Sequence, residues 1–291
     1  MSKILRLADG RDLEYIDNGV SGNRAVVLHH GTPSTAATWQ FWIDEFTKLG
    51  IRAVAISRAG YGKSSRNQNT TLAKAVADTT AVLKQLGVVD FVSVGWSGGG
   101  PSALADALLE NCIASNTIAG LSSLTLQGES FFNDLPESNI KEIEETLQGW
   151  DVAFAHKAKY VTELNEGRET GSAAWWEKRE RIEEFRDDYD AFGLVLSRTM
   201  SDAVVDDGNA WQDDEIRLFG DWGFTLDEIK VPVHIWQGGL DTAVPEQMGR
   251  WLAANIPGAT LTLYPDETHT SIMIERRAEI LEAIQKQLAE N

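Results

Sequence analysis

The sequence predicts an α/β fold: a mostly parallel sheet covered by helices on both faces and interrupted once by a helical insertion. Three observations predict it. Short apolar runs alternate with helical patterns of about 12–15 residues through the first 127 positions, as βαβ units require. From Gly128 to Trp222 the helical period continues without a convincing strand. Strand signals then resume and alternate with helices to the end. Residues 1–127 and 223–291 are therefore expected to form one core domain, with 128–222 inserted as a helical cap.

The elements follow in order. "KILRLADGRDLEYIDNG" sets two short alternating runs on either side of Asp9-Gly10, a hairpin signal. "RAVVLHHG", "IRAVAISRAGYG" and "DFVSVGWSGGG" are apolar runs of the kind buried on both sheet faces. Helical patterns lie between them, from Ala36 to Leu49 and from Leu72 to Leu86. A third runs from Gly100 to about Glu110, and "NTIAGLSS" reads as the next strand. The insertion carries charged helical stretches ("NIKEIEETLQGW", "WWEKRERIEEFRDDY") and the tryptophans Trp150, Trp175, Trp176, Trp211 and Trp222. "VPVHIWQGG" and "ATLTLYPDE" are the last strands, and "IERRAEILEAIQKQLAE" is the last helix.

Charge narrows the partners. A formal net charge of −18 argues against nucleic acid or an anionic membrane surface and leaves a small molecule as the expected ligand. Residues 128–222 hold 24 acidic against 10 basic side chains, most of the excess. Arg6, Asp9 and Arg11 break the first apolar run too early for a signal-peptide core, and no apolar stretch of about 18 residues occurs later. The single cysteine, Cys112, precludes an internal disulfide and fits a reducing compartment, so a cytoplasmic location is expected. Its neighbours "ENCIAS" suggest a packing residue at a helix end.

The chemistry concentrates at Gly95-Trp96-Ser97-Gly98-Gly99, which matches G-x-S-x-G with a strand entering and a helix leaving. Glycines permit the strained turn that lifts a serine hydroxyl clear of the sheet. Such a hydroxyl needs a base, and the base needs a group that fixes its tautomer. Asp241 follows the strand in "VHIWQGGLD", and His269 follows the next in "LTLYPDETH", giving the order Ser, Asp, His. Both sit at strand carboxyl ends, where open α/β sheets bind ligands. Asp266 lies only three residues from His269, too close to reach round its ring. His234 lies within a strand and reads as a satisfied histidine, while His29 and His30 read as positional and His156 as a minor candidate for substrate contact. An oxyanion hole is expected from the backbone N–H groups of Gly98, after the serine, and Thr32, since Pro33 has none. Trp96 either packs under the turn or lines the pocket.

Two apparent nucleotide motifs fail. In "SRAGYGKSS" the first glycine of a phosphate loop would fall on Ser57, and in "GWSGGG" the second glycine of a dinucleotide fingerprint falls on Ser97. No His or Cys cluster has metal-ligand spacing, and no cofactor is implied.

Together "HHGTPS", "SRAGYGKSS", "GWSGGG", "GGLDTAVP" and "THTS" resemble the successive motifs of the α/β-hydrolase fold superfamily, over essentially the whole chain. The resemblance implies an eight-stranded, mostly parallel sheet, a Ser97–His269–Asp241 triad and a cap that sets specificity. Three departures stand out: Ser57 where the family has Asp, Thr268 where it has Gly, and only a partial echo of the proline iminopeptidase loop and elbow. The first reading is a serine hydrolase cleaving a small carboxylic ester through an acyl-enzyme. The second is a proline iminopeptidase-like aminopeptidase whose acidic cap binds a free amine, with Glu144, Glu145, Glu183 and Glu184 among the candidates. A slow-turnover ligand receptor, or a cofactor-free lyase or oxygenase on the same fold, is the third. Oligomeric state has no signal.

Overall fold

The computed structural model describes residues 1–68, 70–170 and 186–290, excepting the side chains at 156, 159, 167–170 and 186. An eight-stranded sheet runs in the order β1-β2-β4-β3-β5-β6-β7-β8. Its strands are β1 (Lys3–Arg6), β2 (Asp12–Asp17), β3 (Arg24–His29), β4 (Ala53–Ile56), β5 (Asp90–Trp96), β6 (Cys112–Ile118), β7 (Val233–Gly238) and β8 (Thr260–Tyr264). The first two form the expected hairpin, Arg6 opposite Asp12, and β2 joins β4 antiparallel. Every later pairing is parallel.

Period-two alternation divides the core. In β3, Ala25 and Val27 face one side while Val26 and Leu28 face the other; in β4, Val54 and Ile56 oppose Ala53 and Ala55. Helices α1 (Gln40–Lys48) and α10 (Arg277–Glu290) cover one face. Helices α2 (Leu72–Leu86), α3 (Gly100–Asp106) and α9 (Glu246–Asn255) cover the other. Helix α2 shows why its boundaries were legible. The Thr71 hydroxyl accepts from the Lys74 N–H at its start, and Gly87 closes it at φ 65°.

Two local expectations are corrected. The helix after the serine turn ends at Asp106, and β6 starts at Cys112, four residues before "NTIAGLSS". Cys112 is thus a strand residue facing the core, and burial pushes its thiol well above the ordinary range. The pattern from Ala36 begins as a 3-10 turn, Ala36–Trp39, before α1. His234 lies in β7, half-buried, bonded to the Thr262 hydroxyl at 2.8 Å and stacked on Trp236.

Between β6 and β7 lie α4 (Leu124–Gln127), α5 (Glu137–Leu147), α6 (Trp150–Thr170), α7 (Arg186–Ala203) and α8 (Asn209–Phe219). Helices α5, α6 and α8 pack on one another, and α7 lies against α6 and the Ala36–Trp39 turn. Trp175, Trp176, Glu183, Glu184 and the His156 side chain lie outside the described residues. Among the described residues no helix is long and apolar enough to cross a membrane, and no group of three His, Cys, Asp or Glu side chains is placed to hold a metal ion.

Candidate active site

Strand β5 runs straight into Ser97, whose φ of 56° is left-handed. For a residue with a side chain that conformation costs about 1–3 kcal/mol and persists only where the surroundings enforce it. The enforcement is steric. A Cβ on Gly95 would lie 2.1 Å from the Gly99 carbonyl oxygen, and one on Gly99 would lie 2.2 Å from the His29 carbonyl oxygen. The turn is therefore pressed against β3 with room for nothing but glycine, and the serine is lifted above it.

Asp241 follows β7 with its side chain fully buried. One carboxylate oxygen accepts from the Ala243 and Val244 N–H groups at 2.9 and 2.8 Å, and the other meets His269 Nδ1 at 2.8 Å. An acid so anchored keeps a proton on Nδ1 and leaves Nε2 as the basic nitrogen. The His269 loop is held as well. Trp96 Nε1 donates to its carbonyl at 3.1 Å, and the Trp96 ring lies on the imidazole with centroids 5.2 Å apart. Thr268, where the family has Gly, makes a local turn: its hydroxyl accepts from the Ser271 N–H at 3.2 Å. The Ser271 hydroxyl in turn binds Glu267.

Thr32 and Gly98 are neighbours, since a Cβ on Gly98 would meet the Thr32 hydroxyl at 2.3 Å. A buried network fixes this loop. The Arg58 guanidinium donates to the carbonyls of His30 and Gly31 and to the Thr32 hydroxyl. Asp214 of α8 binds Arg58 at 2.7 Å, Arg217 at 3.3 Å, the Thr32 hydroxyl at 2.7 Å and the Tyr61 hydroxyl at 3.2 Å. Burial pushes the Asp214 carboxyl up, but the two guanidiniums more than offset this and hold it well below the ordinary range. Ser57, the other departure, donates to Glu14 of β2 at 3.1 Å and accepts from the Ala36 N–H, so a carboxylate from the adjacent strand stands beside it.

His30 is positional, as expected. Its Nε2 accepts from the Arg58 N–H and its Nδ1–H donates to the Gly31 carbonyl. Burial, aided by Arg58, pushes it well below the ordinary range, so it stays neutral when folded. The unfolded chain takes up a proton below about pH 6.5 that the folded chain refuses. Stability is therefore expected to be full above that pH and to fall below it, by up to about 1.4 kcal/mol per pH unit for this one group. Urea unfolding at pH 7.5 and 5.5 checks it, with a shallower slope expected in His30→Gln.

Ser97, His269, Thr32, Gly98 and Trp96 all line one cavity of about 420 Å³. Of the two places considered for Trp96, it takes the pocket lining, and its ring packs on His269 and Phe192. Of the described tryptophans in the insertion, Trp211 lines the cavity, Trp150 stacks on Phe154, and Trp222 is buried beside Phe224. Among the described residues the cavity carboxylates are Glu142 and Glu215, not the neighbouring Glu144 and Glu145. Burial and then Glu142 push the Glu215 carboxyl up to about 7, against the pull of Lys157. Sequence reasoning missed this group because it joins three helices. The one available signal was the 3.6-residue spacing of Asn139, Glu142, Ile143 and Thr146 along α5.

An eight-stranded mixed sheet with a serine elbow at the end of its central strand and a helical insertion over the strand ends defines a hydrolase of the α/β class. The chain belongs to the alpha/beta hydrolase family, whose model matches residues 26–283. It is 28% identical to a 2-hydroxy-6-oxononadienedioate/2-hydroxy-6-oxononatrienedioate hydrolase of Burkholderia vietnamiensis, over 88% of this chain and 84% of that one. It is also 28% identical to a bifunctional esterase/perhydrolase of Acinetobacter calcoaceticus, over 90% of each. An esterase from Exiguobacterium antarcticum shares the fold with a TM-score of 0.65 at 19% identity, covering 98% of this chain and 100% of that chain.

Proposed function

We propose that the protein is a serine-dependent carboxylic ester hydrolase acting on a small molecule, with Ser97, His269 and Asp241 as its triad and residues 128–222 as its cap domain. The observation that carries this is Ser97 on a left-handed turn opening into the same cavity as His269, whose Nδ1 is tied to Asp241. In this reading His269 Nε2 takes the Ser97 proton as Oγ attacks the ester carbonyl. The Thr32 and Gly98 N–H groups hold the oxyanion, each worth about 2.7–4 kcal/mol. His269 then gives its proton to the leaving alcohol, and the acyl-enzyme forms. A water, deprotonated by His269, attacks the acyl carbonyl and releases the acid and free Ser97.

Among the relatives, the esterase/perhydrolase fits this reading best. The relative from Burkholderia is named for dienedioates; a doubly charged acid in this cavity would lie against Glu142 and Glu215, so that substrate class is not carried over. A second reading, cleavage next to a free amine, is favoured by the same two carboxylates, although Lys157 already pairs with Glu215 at 2.5 Å.

A panel of p-nitrophenyl esters from acetate to octanoate, run beside proline and alanine p-nitroanilides, tests both. Ester cleavage with a chain-length optimum is expected. Anilide cleavage that requires the free amine, with esters untouched, would replace the first reading by the second.

A further inference from the structure

The cavity is unevenly lined. The loops that follow the strands line it with Thr32, Trp96, Ser97, Thr268, His269 and apolar side chains, without a carboxylate, whereas the wall built by the insertion carries Asn139, Glu142 and Glu215. Helix α5 presents Asn139, Glu142 and Ile143 to the cavity because positions i, i+3 and i+4 share a face. The two carboxylates differ in what they already hold. Glu215 accepts from the Trp211 indole N–H at 2.6 Å, the Thr146 hydroxyl at 2.9 Å and Lys157 at 2.5 Å. Lys157 is 1% exposed and held over the Trp211 ring, so it cannot turn into the cavity without leaving Glu215. It comes no nearer than 3.6 Å to Glu142, too far for a hydrogen bond. Among the described residues two carboxylates thus face one ammonium, and the Glu142 charge stands in the wall with a single, long ion pair. Among the described residues lining the cavity there is no lysine or arginine to offset it.

We infer that Glu142 makes the site select its substrates by charge: the part of the substrate that reaches the insertion wall is uncharged or cationic, and carboxylate-bearing substrates are turned away. The inference rests on the ester-hydrolase reading. At the separations a pocket allows, a charge at a partly exposed position, only loosely held by one long ion pair, discriminates about tenfold.

Three p-nitrophenyl esters of one length test it: hexanoate, the adipate monoester and 6-aminohexanoate. The wild type is expected to cleave the adipate ester about tenfold less efficiently than hexanoate in kcat/KM, and the 6-aminohexanoate no worse than hexanoate. Glu142→Gln is expected to raise the adipate-to-hexanoate ratio about tenfold, and Asn139→Asp, which adds a charge on the same face, to lower it further. The general acidity of the chain also repels anions, but that field is screened by salt. The change in ratio at Glu142 should survive 0.5 M salt. An adipate ester cleaved as well as hexanoate, or a ratio unmoved in Glu142→Gln, overturns the inference. If none of the three esters is cleaved, the hydrolase reading fails separately. Thermal stabilisation by hexanol, 6-hydroxyhexanoate and 6-aminohexanol then decides on charge alone. Weakest stabilisation by 6-hydroxyhexanoate upholds the selection, and equal stabilisation by all three overturns it.

Discussion

Replacing Ser97 by alanine is expected to lower kcat for ester cleavage by about 10³- to 10⁶-fold, since removal of a triad nucleophile leaves only binding and the oxyanion hole. The fold should not notice. Alanine meets the same restriction at φ 56° as serine does, and the glycines that press the turn onto β3 are untouched. Glycine at the same position makes a sharper prediction. It carries no penalty in the left-handed region, so Ser97→Gly should be as inactive as the alanine variant and about 1 kcal/mol more stable than the wild type. Urea unfolding midpoints and p-nitrophenyl ester turnover on the three proteins measure both effects. Residual turnover above a hundredth of wild type in either variant would remove Ser97 from the mechanism. Equal stability of the serine and glycine proteins would mean that the turn stores no strain.

The second large effect belongs to a residue that contacts no reacting atom. Asp214→Asn keeps the shape of the side chain but leaves Arg58 and Arg217 buried without their counter-charge, which costs about 3–5 kcal/mol. Arg58 also holds the carbonyls of His30 and Gly31 and the Thr32 hydroxyl. Loosening it should misplace the Thr32 N–H and reduce kcat by up to about 10²-fold, with a smaller change in KM. Acid behaviour separates this network from ordinary packing. Because the folded Asp214 carboxyl lies well below its unfolded value of 3.8, its contribution is complete above that pH and is lost as the pH falls through the folded value. The asparagine variant should lack that part of the acid dependence. A variant with wild-type midpoint and kcat would show that the insertion does not seat the loop.

Periodicity and turn chemistry carried most of the fold. Every strand run quoted from the sequence overlaps a strand of the sheet, because a residue's place on one face or the other depends only on its own position in the chain. The candidate triad was legible for a related reason. Ser97, Asp241 and His269 lie one, three and five residues past the ends of their strands, so a parallel sheet brings them to one edge whatever the helices do. What stayed hidden depends on packing between elements far apart in sequence. Asp214 and Arg58 are 156 residues apart, and Lys157 reaches Glu215 across two helices. Nothing in "QDDEIRLF" marks its second aspartate as the buried one. The early start of β6 was missed because "ENCIAS" mixes polar and apolar residues without clean alternation. A register shift against β5 between Phe91 and Val92 accounts for that pattern.

The cavity draws its two sides from different parts of the chain. Thr32, Ser97 and His269, with Asp241 bonded behind His269, come from four separate loops, each tied to its own strand. Phe131, Asn139, Glu142, Leu196, Trp211 and Phe219 all come from the one stretch between β6 and β7. In evolutionary terms, reactivity and preference are inherited separately. A single recombination event with its ends near residues 123 and 224 could exchange the whole insertion wall for a relative's, whereas replacing the candidate triad would need coordinated changes in three separate loops. Lineages of such a chain should therefore diverge in what they accept long before they diverge in what they do to it.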